Sequence, residues 1–379
     1  MPEIVLHNIK TLHFCWLLAI FCCYSAIKGS TAIGRNADWM ARLPKELVNL
    51  PLRGIAIPGS HDSASYSLNS TNDLAPDIPK KVLNVMNLSR GYKGAEQYLR
   101  SEIYRWSITQ RLDITQQLEL GIRYFDLRVF YKEGEDRLYT YHGLIGAPIE
   151  EILLQMANFL DNYPREVLLL DFNHLEKEYN FSRKANKKLT NLLKTTFGEK
   201  IFTNKSTQAS LSTLWSDGKN IIVFYRSPEE DFSGIVPEFV MTEKSLLSPF
   251  DKGKFSSQKS WLEFIENGYE HRPTSRTFYV TQGIMQPSIL SIAASGLFGS
   301  GSLEKWTSDD ATRSLVRWLH RCRRGVDGIN IVIADFVENH NFTEAVLSLN
   351  LNNSSSDVYK NSLLKYITLV IVSVFISLN

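Results

Sequence analysis

The chain has 379 residues, with 44% hydrophobic and 22% charged side chains and a formal net charge of +2 at pH 7. A charge so close to neutral gives no basis for nucleic-acid binding. Three of the four cysteines lie in an apolar N-terminal stretch and only Cys322 lies elsewhere. An intramolecular disulfide is therefore not expected once that stretch is removed.

The first residues have the pattern of a secretory signal peptide. Lys10 and His13 precede an apolar run from Phe14 to Ile27, and small residues follow it. An apolar run of about 14 residues is shorter than the roughly 20 that span a membrane. We therefore predict a signal peptide over residues 1–32, with an uncleaved N-terminal anchor as the alternative.

The end of the chain is apolar as well. Residues 363–378 carry one charge, Lys365, and a polar spacer separates them from the small residues of Asn352–Ser356. Small residues, a spacer and an apolar tail in this order are typical of a GPI-attachment signal. We predict that residues 351–379 are a GPI signal, with a tail anchor as the alternative, and that residues 33–350 form one catalytic domain.

Asn-x-Ser/Thr sequons also favour passage through the secretory pathway, because they are acceptor sites for N-glycans. The expected location is the extracellular face of the plasma membrane or the medium, and the expected product is a glycoprotein. The sequons begin at Asn69, Asn87, Asn180, Asn204, Asn341, Asn352 and Asn353.

Seven short apolar runs between these ends are predicted to be strands. Most of them are continuous rather than alternating, as in a parallel sheet that is covered on both faces. The runs are Ile55–Ile57, Tyr124–Val129, Leu138–Tyr141, Val167–Phe172, Ile221–Tyr225, Thr277–Gln282 and Asn330–Phe336.

Helical patterns fall between these strands. Asp113 to Leu120 is followed by Gly121, a residue typical of helix ends, and Pro148 to Tyr163 and Thr307 to Arg321 each place apolar residues on one face. The alternation of strands and helices over about 300 residues predicts an α/β fold, a single-domain TIM-type (β/α) barrel of regular, distorted or incomplete form. A doubly wound open sheet is the alternative, but no Gly-rich dinucleotide turn follows the first strand.

Polar side chains stand at the strand ends where a barrel carries its active groups. His61 and Asp62 follow the first strand, Asp126 and Arg128 lie two apart on the second, and His142 ends the third. Histidines with carboxylates can transfer protons, and an arginine can bind a phosphoryl group, so the pattern predicts acid–base cleavage of a phosphate ester. The strand-end positions are His61, Arg128, His142, Asp171, Arg226, Gln282 and Asp335.

These motifs resemble the phosphatidylinositol-specific phospholipase C X-domain family, and more narrowly its eukaryotic X-domain-containing members that lack PH, EF-hand, Y and C2 regions. In order and spacing, the matching segments cover most of the chain between its two ends. The segments are Ile57–Ser63, Trp106–Gln110, Gln116–Leu118, Gly121–Arg128, His142–Gly143, Tyr163–Val167 and Ile333–Phe336.

The resemblance implies a role for each matching catalytic residue. His61 matches the general base that deprotonates the inositol 2-hydroxyl, and Asp335 matches the carboxylate that orients this base. His142 matches the general acid for the diacylglycerol oxygen, with Asp62 as its carboxylate partner. Arg128 matches the phosphate-binding arginine of the metal-independent bacterial enzymes.

Four further residues are candidates for substrate binding. Asp126 matches the strand aspartate beside the phosphate-binding arginine, although a buried carboxylate that only pairs with an arginine is an equal alternative. Arg226 lies where the bacterial enzymes place an inositol-binding arginine, although a surface role fits its position equally well. Gln282 is a candidate from its strand-end position, and Asp171 from its place near the ligand region of the calcium-dependent branch.

No metal and no other cofactor is expected. The calcium-dependent branch of the family surrounds the phosphate with acidic and amide ligands. Here Asp62 replaces the asparagine after the first histidine and Arg128 occupies a ligand position. A cation at this position disfavours calcium, which takes oxygen ligands.

The resemblance implies a phosphodiesterase that acts on phosphatidylinositol or GPI lipid at a membrane surface. Intramolecular attack by the inositol 2-hydroxyl would give cyclic inositol phosphate and diacylglycerol. A catalytically weak inositol-lipid-binding surface protein is the alternative from another functional class. A metal-dependent glycerophosphodiesterase fits less well, because that chemistry uses His-Arg and Glu-x-Asp motifs where this chain has His-Asp and Asp-Leu-Arg.

Overall fold

The computed structural model describes residues 36–175, 181–226, 237–242, 244–250, 255, 257–272, 276–286 and 301–351, without the side chains of 306–309. The predicted signal peptide and, apart from residue 351, the predicted C-terminal signal lie outside these residues. Among the residues that the structure describes, none of the helices combines the length and apolar character needed to cross a membrane.

Eight parallel strands form a nearly closed barrel. Their order around the sheet is β7-β6-β5-β2-β1-β10-β9-β8, and every pairing along this path is parallel. This confirms the predicted TIM-type barrel and excludes the open doubly wound alternative. The strands are β1 Ile57–Ser60, β2 Tyr124–Lys132, β3 Arg137–His142, β4 Leu144–Pro148, β5 Leu168–Asn173, β6 Ile221–Arg226, β7 Val240–Thr242, β8 Leu246–Leu247, β9 Phe278–Gln282 and β10 Ile331–Ala334.

The strands β3 and β4 lie outside the barrel. Strand β2 continues past the barrel and pairs antiparallel with β3, which pairs antiparallel with β4. The prediction that the run Leu138–Tyr141 is a barrel strand was therefore wrong, because only four residues separate β2 from β3 and a parallel crossover needs a dozen or more. The short strands β4, β7 and β8 were not predicted, since two to five residues carry little periodic signal.

Helices cover the outside of the barrel and connect its strands. The α-helices are α1 Lys45–Val48, α2 Lys80–Ser89, α3 Ala95–Ser107, α4 Ile114–Leu120, α5 Ile149–Asn162, α6 Arg183–Phe197, α7 Leu211–Ser216, α8 Gln258–Glu270, α9 Leu303–Thr307 and α10 Arg313–Leu319, and a further helix covers residues 342–351. Short 3₁₀ helices occupy Leu52–Gly54, Ser65–Ser67, Glu133–Glu135, Gly198–Lys200 and Asn339–Asn341, and a π-helix occupies Ser308–Thr312.

Two of the three predicted helices match the structure closely. Helix α4 begins after Asp113, whose carboxylate accepts from the Gln116 amide at 2.8 Å, and ends at Gly121 with a φ of 116°. These contacts satisfy backbone groups that a helix end leaves unpaired. Helix α5 buries its predicted apolar face. The third prediction, one helix from Thr307 to Arg321, was wrong, because the segment is not a single α-helix: the π-helix separates α9 from α10.

Two layers of apolar side chains hold the barrel together. Alternate strand residues, such as Tyr124 and Ile333, fill the barrel interior, while their neighbours, such as Phe125 and Val332, pack against the helices. Gly59 has a steric role in the inner layer. A Cβ at this position would stand 2.9 Å from atoms of both Tyr124 and Ile333, so the first strand needs glycine here.

A buried ion pair closes the amino-terminal end of the barrel. Arg123, just before β2, donates from Nε to Glu166 Oε2 at 2.9 Å, and both side chains are at most 1% exposed. Glu166 also accepts from the backbone amides of Met40 and Ala41 at 3.2 and 3.0 Å. The pair therefore joins the N-terminal segment to the strands.

We expect Glu166→Gln, which removes the charge and keeps the shape, to lower the free energy of unfolding by about 3–5 kcal/mol, because Arg123 would stay buried without a counter-ion. The matched control is Glu96→Gln, which breaks the partly exposed pair with Arg100 and should change stability by less than about 1 kcal/mol. Urea denaturation measures both, and equal losses would contradict the assignment.

Candidate active site

The carboxyl ends of the barrel strands place most of the predicted site residues on one rim. His61 and Asp62 follow β1, Asp335 follows β10, and the strands β2, β5, β6 and β9 supply the others. His142 reaches the same rim by a different route, since it ends strand β3 of the antiparallel extension. The residues from the barrel strands are Asp126 and Arg128 on β2, Asp171 on β5, Arg226 on β6 and Gln282 on β9.

His61 is held on both sides of its ring and through its backbone. Its Nδ1 lies 2.8 Å from Asp335 Oδ1, although the two residues are 274 positions apart. Its carbonyl accepts from Thr109 Oγ1 at 3.0 Å and from Gln110 Nε2 at 2.9 Å. Because Asp335 occupies Nδ1, the ring presents Nε2 to the site, 3.5 Å from Arg128 Nη2.

Asp62 is the charged centre of the site. Its carboxylate lies 2.6 Å from Arg128 Nε and 3.3 Å from both His61 Nε2 and His142 Nδ1. The side chain is 2% exposed, and neither carboxylate oxygen accepts a hydrogen bond. The backbone of Asp62 is left-handed, with a φ of 39°, a conformation that costs energy for a residue other than glycine. Asp62 therefore contacts both histidines.

His142 has a backbone partner in addition to Asp62. Its Nδ1 lies 2.7 Å from the carbonyl oxygen of Ser107 at the end of α3. A carbonyl can only accept, so Nδ1 carries the proton of this hydrogen bond. The next residue is fixed as well, because the Gly143 amide donates to the Asp77 carboxylate at 3.0 and 3.2 Å.

Asp126 has a structural partner on the neighbouring strand. Its Oδ1 accepts from Asn173 Nδ2, and its Oδ2 accepts from the backbone amide of Asp62 at 3.2 Å. The same Oδ2 lies 3.9 Å from His61 Nε2. Asp126 thus fixes the loop that carries the first histidine, and its carboxylate also faces the site.

Asp171 lies deeper in the barrel than the two histidines, and Arg226 and Gln282 line the cavity to one side of them. Asp171 is fully buried and accepts from Tyr124 Oη and from Arg226, whose Nε and Nη2 lie 3.0 and 2.7 Å from its two oxygens. Asp171 is therefore placed beneath the site and positions Arg226. Gln282 donates to Ser248 Oγ at 2.6 Å.

The charges around His61 determine its protonation. Burial alone would lower the pKa of His61, but the charges of Asp62 and Asp335 outweigh burial and raise it to about 9. Burial would raise the pKa of Asp62, but Arg128 and the two histidines lower it to about 2. The site thus holds Asp62 ionised and makes His61 an unusually strong base when it loses its proton.

Two adjoining cavities open on this rim and share His61 and Arg128. One has a volume of ≈ 160 Å³ and an apolar side formed by Trp106, Met285 and Leu303. The other has a volume of ≈ 430 Å³ and is mainly polar. The polar cavity is lined by His61, Asp126, Arg128, Asn173, His174, Arg226, Ser248, Phe250, Gln282, Ile284 and Gln286.

One group of residues has the spacing of a metal site. Ligand atoms of His61, Asp62 and Asp126 lie within 4.8 Å of one another. Arg128 Nε is nevertheless 2.6 Å from Asp62, so a guanidinium already supplies positive charge to this cluster. A divalent ion would have to compete with this charge and with the hydrogen bond from Asn173.

The structure adds residues that the sequence reasoning did not assign. Thr109 and Gln110 hold the His61 backbone, and the Ser107 carbonyl fixes the His142 ring. The segment Trp106–Gln110 was recognised as a motif, but its sequence carries no sign of which side chain or carbonyl reaches which histidine. Asn173 is the polar residue that directly follows the predicted strand Val167–Phe172, which was the available signal.

We expect the His61 ring to titrate well above its ordinary pKa of 6.5, at about 9, and Asp335→Asn to lower this pKa by about 1–3 pH units, since a charge at hydrogen-bond distance is lost. Because the folded pKa is raised, the His61 contribution to stability is complete below pH 6.5 and disappears as the pH rises through about 9. NMR titration of the ring protons measures the pKa. An unchanged value in the variant would contradict the pairing.

Comparison with known proteins agrees with this architecture. Residues 94–227 match the family model "Phosphatidylinositol-specific phospholipase C, X domain". The chain is 33% identical over 319 residues to PI-PLC X domain-containing protein 3 of Danio rerio, covering 83% of this chain and 94% of that protein. It is 33% identical over 318 residues to PI-PLC X domain-containing protein 2 of Mus musculus, covering 83% and 88%.

Solved structures show the same fold. Phosphatidylinositol-specific phospholipase C from Listeria monocytogenes superposes with a TM-score of 0.54 at 18% identity, covering 83% of this chain and 98% of that one. A structure of the Staphylococcus aureus enzyme gives 0.56 at 16% identity, covering 84% and 98%. The barrel is therefore shared with the bacterial enzymes, and by its relatives over most of its length the chain belongs to the PI-PLC X domain-containing protein family.

Proposed function

We propose that this chain is a phosphodiesterase that cleaves phosphatidylinositol, or the inositol phosphodiester of a GPI lipid, into diacylglycerol and a cyclic inositol phosphate. The observation that carries the proposal is the group formed by two histidines and one arginine. The His61 and His142 rings have centroids 6.3 Å apart, and Arg128 lies against both His61 and Asp62. Two imidazole rings and a guanidinium thus line one cavity, which supports assigning to them the roles of base, acid and phosphate-binding cation.

His61 is proposed to act as the general base. Its Nε2 accepts the proton of the inositol 2-hydroxyl, while Asp335 holds Nδ1 and stabilises the imidazolium that forms. The oxygen of that hydroxyl then attacks phosphorus within the same molecule, so the nucleophile needs no separate binding site. The polar cavity beside His61 has the donors and acceptors that inositol hydroxyls would require, from Arg226, Asn173 and Gln282.

His142 is proposed to act as the general acid. Its Nδ1 proton is committed to the Ser107 carbonyl, so the proton for the leaving oxygen of diacylglycerol comes from Nε2. Asp62 places a carboxylate oxygen 3.3 Å from Nδ1 of the same ring. The apolar wall formed by Trp106, Met285 and Leu303 lies in the same cavity and suits the glycerol side of the lipid.

Arg128 is proposed to bind the phosphoryl oxygens and to replace a metal ion. Its Nε is fixed by Asp62, which leaves the terminal nitrogens near His61 to meet an anionic oxygen. Charge that develops on phosphorus-bound oxygens can thus be stabilised by the guanidinium. We propose on this basis that the reaction needs no calcium.

Export and membrane attachment, expected from residues 1–32 and 351–379, are predictions from the sequence.

Cleavage of phosphatidylinositol in the presence of a chelator, with formation of the cyclic product, is the central expected result. Arg128→Gln should lower kcat by about 10²–10³-fold, since a preorganised donor to the developing charge is lost. Arg137→Gln, which alters a half-exposed arginine on β3, is the control and should keep wild-type turnover. Turnover that requires calcium would contradict the proposed metal-free mechanism.

The two histidines can be distinguished by the leaving group. With phosphatidylinositol, His61→Ala and His142→Ala should each lose about 10²–10⁴-fold in kcat. With an inositol nitrophenyl phosphodiester, whose leaving group needs no proton, only His61→Ala should stay slow. Equal losses on both substrates would refute the assignment of His142 as the acid.

The same variants decide between an enzyme and a lipid-binding protein without turnover. An enzyme loses product formation in His61→Ala, whereas a binding protein shows no product formation in wild type or variant and retains its affinity for phosphatidylinositol vesicles. Diacylglycerol release and vesicle co-sedimentation measure the two properties separately.

A further inference from the structure

A group of arginines lies at the opposite end of the barrel from the catalytic rim. Arg53 precedes β1, and Arg272 and Arg276 precede β9. The loop of residues 323–328 precedes β10, which lies between β1 and β9 in the sheet. Because these strands are parallel, all of these segments meet at the amino-terminal end. We call Arg53, Arg272 and Arg276 the amino-end arginine cluster.

Contacts with one loop bring the cluster together. Arg272 Nη1 donates to the carbonyl of Gly325 at 3.0 Å and to that of Gly328. Arg53 lies beside the same loop, since a Cβ added to the adjacent Gly54 would stand 3.5 Å from Val326 Cγ1. The loop thus fixes the side chain of Arg272, whereas the Arg53 side chain is held by Gln208 at 3.1 Å while its backbone neighbour Gly54 lies against the loop.

Two of these guanidiniums are buried without a carboxylate partner. Arg53 is 8% exposed and Arg272 is 6% exposed, and within the described part of the chain neither forms an ion pair. Elsewhere in the molecule, Arg123, Arg128 and Arg226 each have a carboxylate within 3.0 Å. Burial of a charge is unfavourable unless it is paired.

Each buried guanidinium also keeps a hydrogen-bond donor unused. Arg53 uses Nη2 on Gln208 Oε1 at 3.1 Å, but its buried Nε has no acceptor among the described residues. Arg272 uses Nη1 on the loop carbonyls, but in the same part of the chain its buried Nη2 has no acceptor either. Tyr279, whose ring lies 5.1 Å from Arg272 Cζ, offers only a ring face in compensation. Buried donors of charged groups normally have a partner.

The electrostatics indicate which kind of partner is missing. Burial, and to a smaller extent the charge of Arg53, lower the pKa of Arg272 to about 10, although Tyr279 and Asp327 oppose this shift. Burial and the charge of Arg276 lower the pKa of Arg53. Positive charges that destabilise one another in this way would be relieved by an anion. Asp327, the acidic residue of the loop, lies 3.9 Å from Arg323 and so is already shared with another cation.

We propose that the amino-end arginine cluster is a binding site for a phosphate group, separate from the catalytic rim. Guanidinium N–H groups match phosphate oxygens in geometry and charge, and two fixed donors with the exposed Arg276 at the edge suit one terminal phosphate. The phosphate belongs either to a soluble molecule or to a lipid head group. The ligand would bridge the segments before β1, β9 and β10 and so stabilise this end of the barrel.

The experiment uses the Arg128→Gln protein as parent, because this variant removes the phosphate-binding cation of the catalytic rim. Inorganic phosphate is titrated by calorimetry, and the thermal unfolding midpoint is followed with and without phosphate. Vesicles of phosphatidylcholine with and without phosphatidic acid are tested by co-sedimentation. Added Arg53→Gln and Arg276→Gln changes test the cluster, and Arg313→Gln, an exposed arginine on α10, is the control.

We expect the parent and the Arg313→Gln protein to bind phosphate, while Arg53→Gln and Arg276→Gln each weaken binding roughly tenfold or more, as for loss of a charge-assisted hydrogen bond. The phosphate-dependent rise of the unfolding midpoint should shrink in parallel. Binding to phosphatidic acid vesicles alone, with the same dependence on the arginines, would assign the site to a lipid head group. Since Arg276 is exposed, its variant tests the site even where Arg53→Gln does not fold. Equal affinities in parent and both variants would overturn the proposal.

Discussion

The buried carboxylate of Asp62 is the interaction on which the candidate site depends. A negative charge that is almost inaccessible to water must be compensated nearby, and here Arg128, His61 and His142 do so. One residue thus brings together the arginine and the two histidines that the proposed mechanism uses. Its left-handed backbone, fixed by Asp126 through the Asp62 amide, shows that the loop is shaped for this purpose. The two proton relays expected from the resemblance are therefore connected at Asp62.

The catalytic rim combines two kinds of architecture. His61, Arg128 and Asp335 come from parallel barrel strands, whose carboxyl ends necessarily converge. His142 comes from an antiparallel extension of β2, and the end of α3 fixes it through the Ser107 carbonyl. His61, the proposed base, is thus held by residues of the barrel strands, whereas the orientation of His142, the proposed acid, depends on its contact with the end of α3.

The buried arginines at the two ends of the barrel differ in their partners. At the rim that carries the candidate site, Arg128 and Arg226 form ion pairs with carboxylates, which fix the orientation of each side chain and partly neutralise its charge. At the other end, Arg53 and Arg272 are buried with carbonyl, amide and aromatic neighbours. The buried Arg123, paired with Glu166, follows the first pattern at the amino-terminal end. This contrast sets the amino-end arginine cluster apart from the arginines that only stabilise the fold.

Much of the fold follows from local patterns in the sequence. The capping box of Asp113 and Gln116, the terminal Gly121 and the apolar face of α5 define helices that form as predicted. The long buried strands β2, β5 and β6 are equally clear, because continuous apolar runs indicate strands covered on both faces. The strands of two or three residues and the antiparallel role of β3 could not be read in this way, since they depend on pairing rather than on pattern.

The sequence by itself determined that polar residues stand at the ends of apolar strands, and hence that His61, Arg128 and Asp335 would share a rim. Only the tertiary structure decided how the charges pair: that Asp62 contacts both histidines, that Asp171 holds Arg226 and that a backbone carbonyl fixes His142. The physical reason is that secondary structure follows from the spacing of side chains along the chain. Hydrogen bonds and ion pairs depend instead on distances through space between residues that can be 274 positions apart.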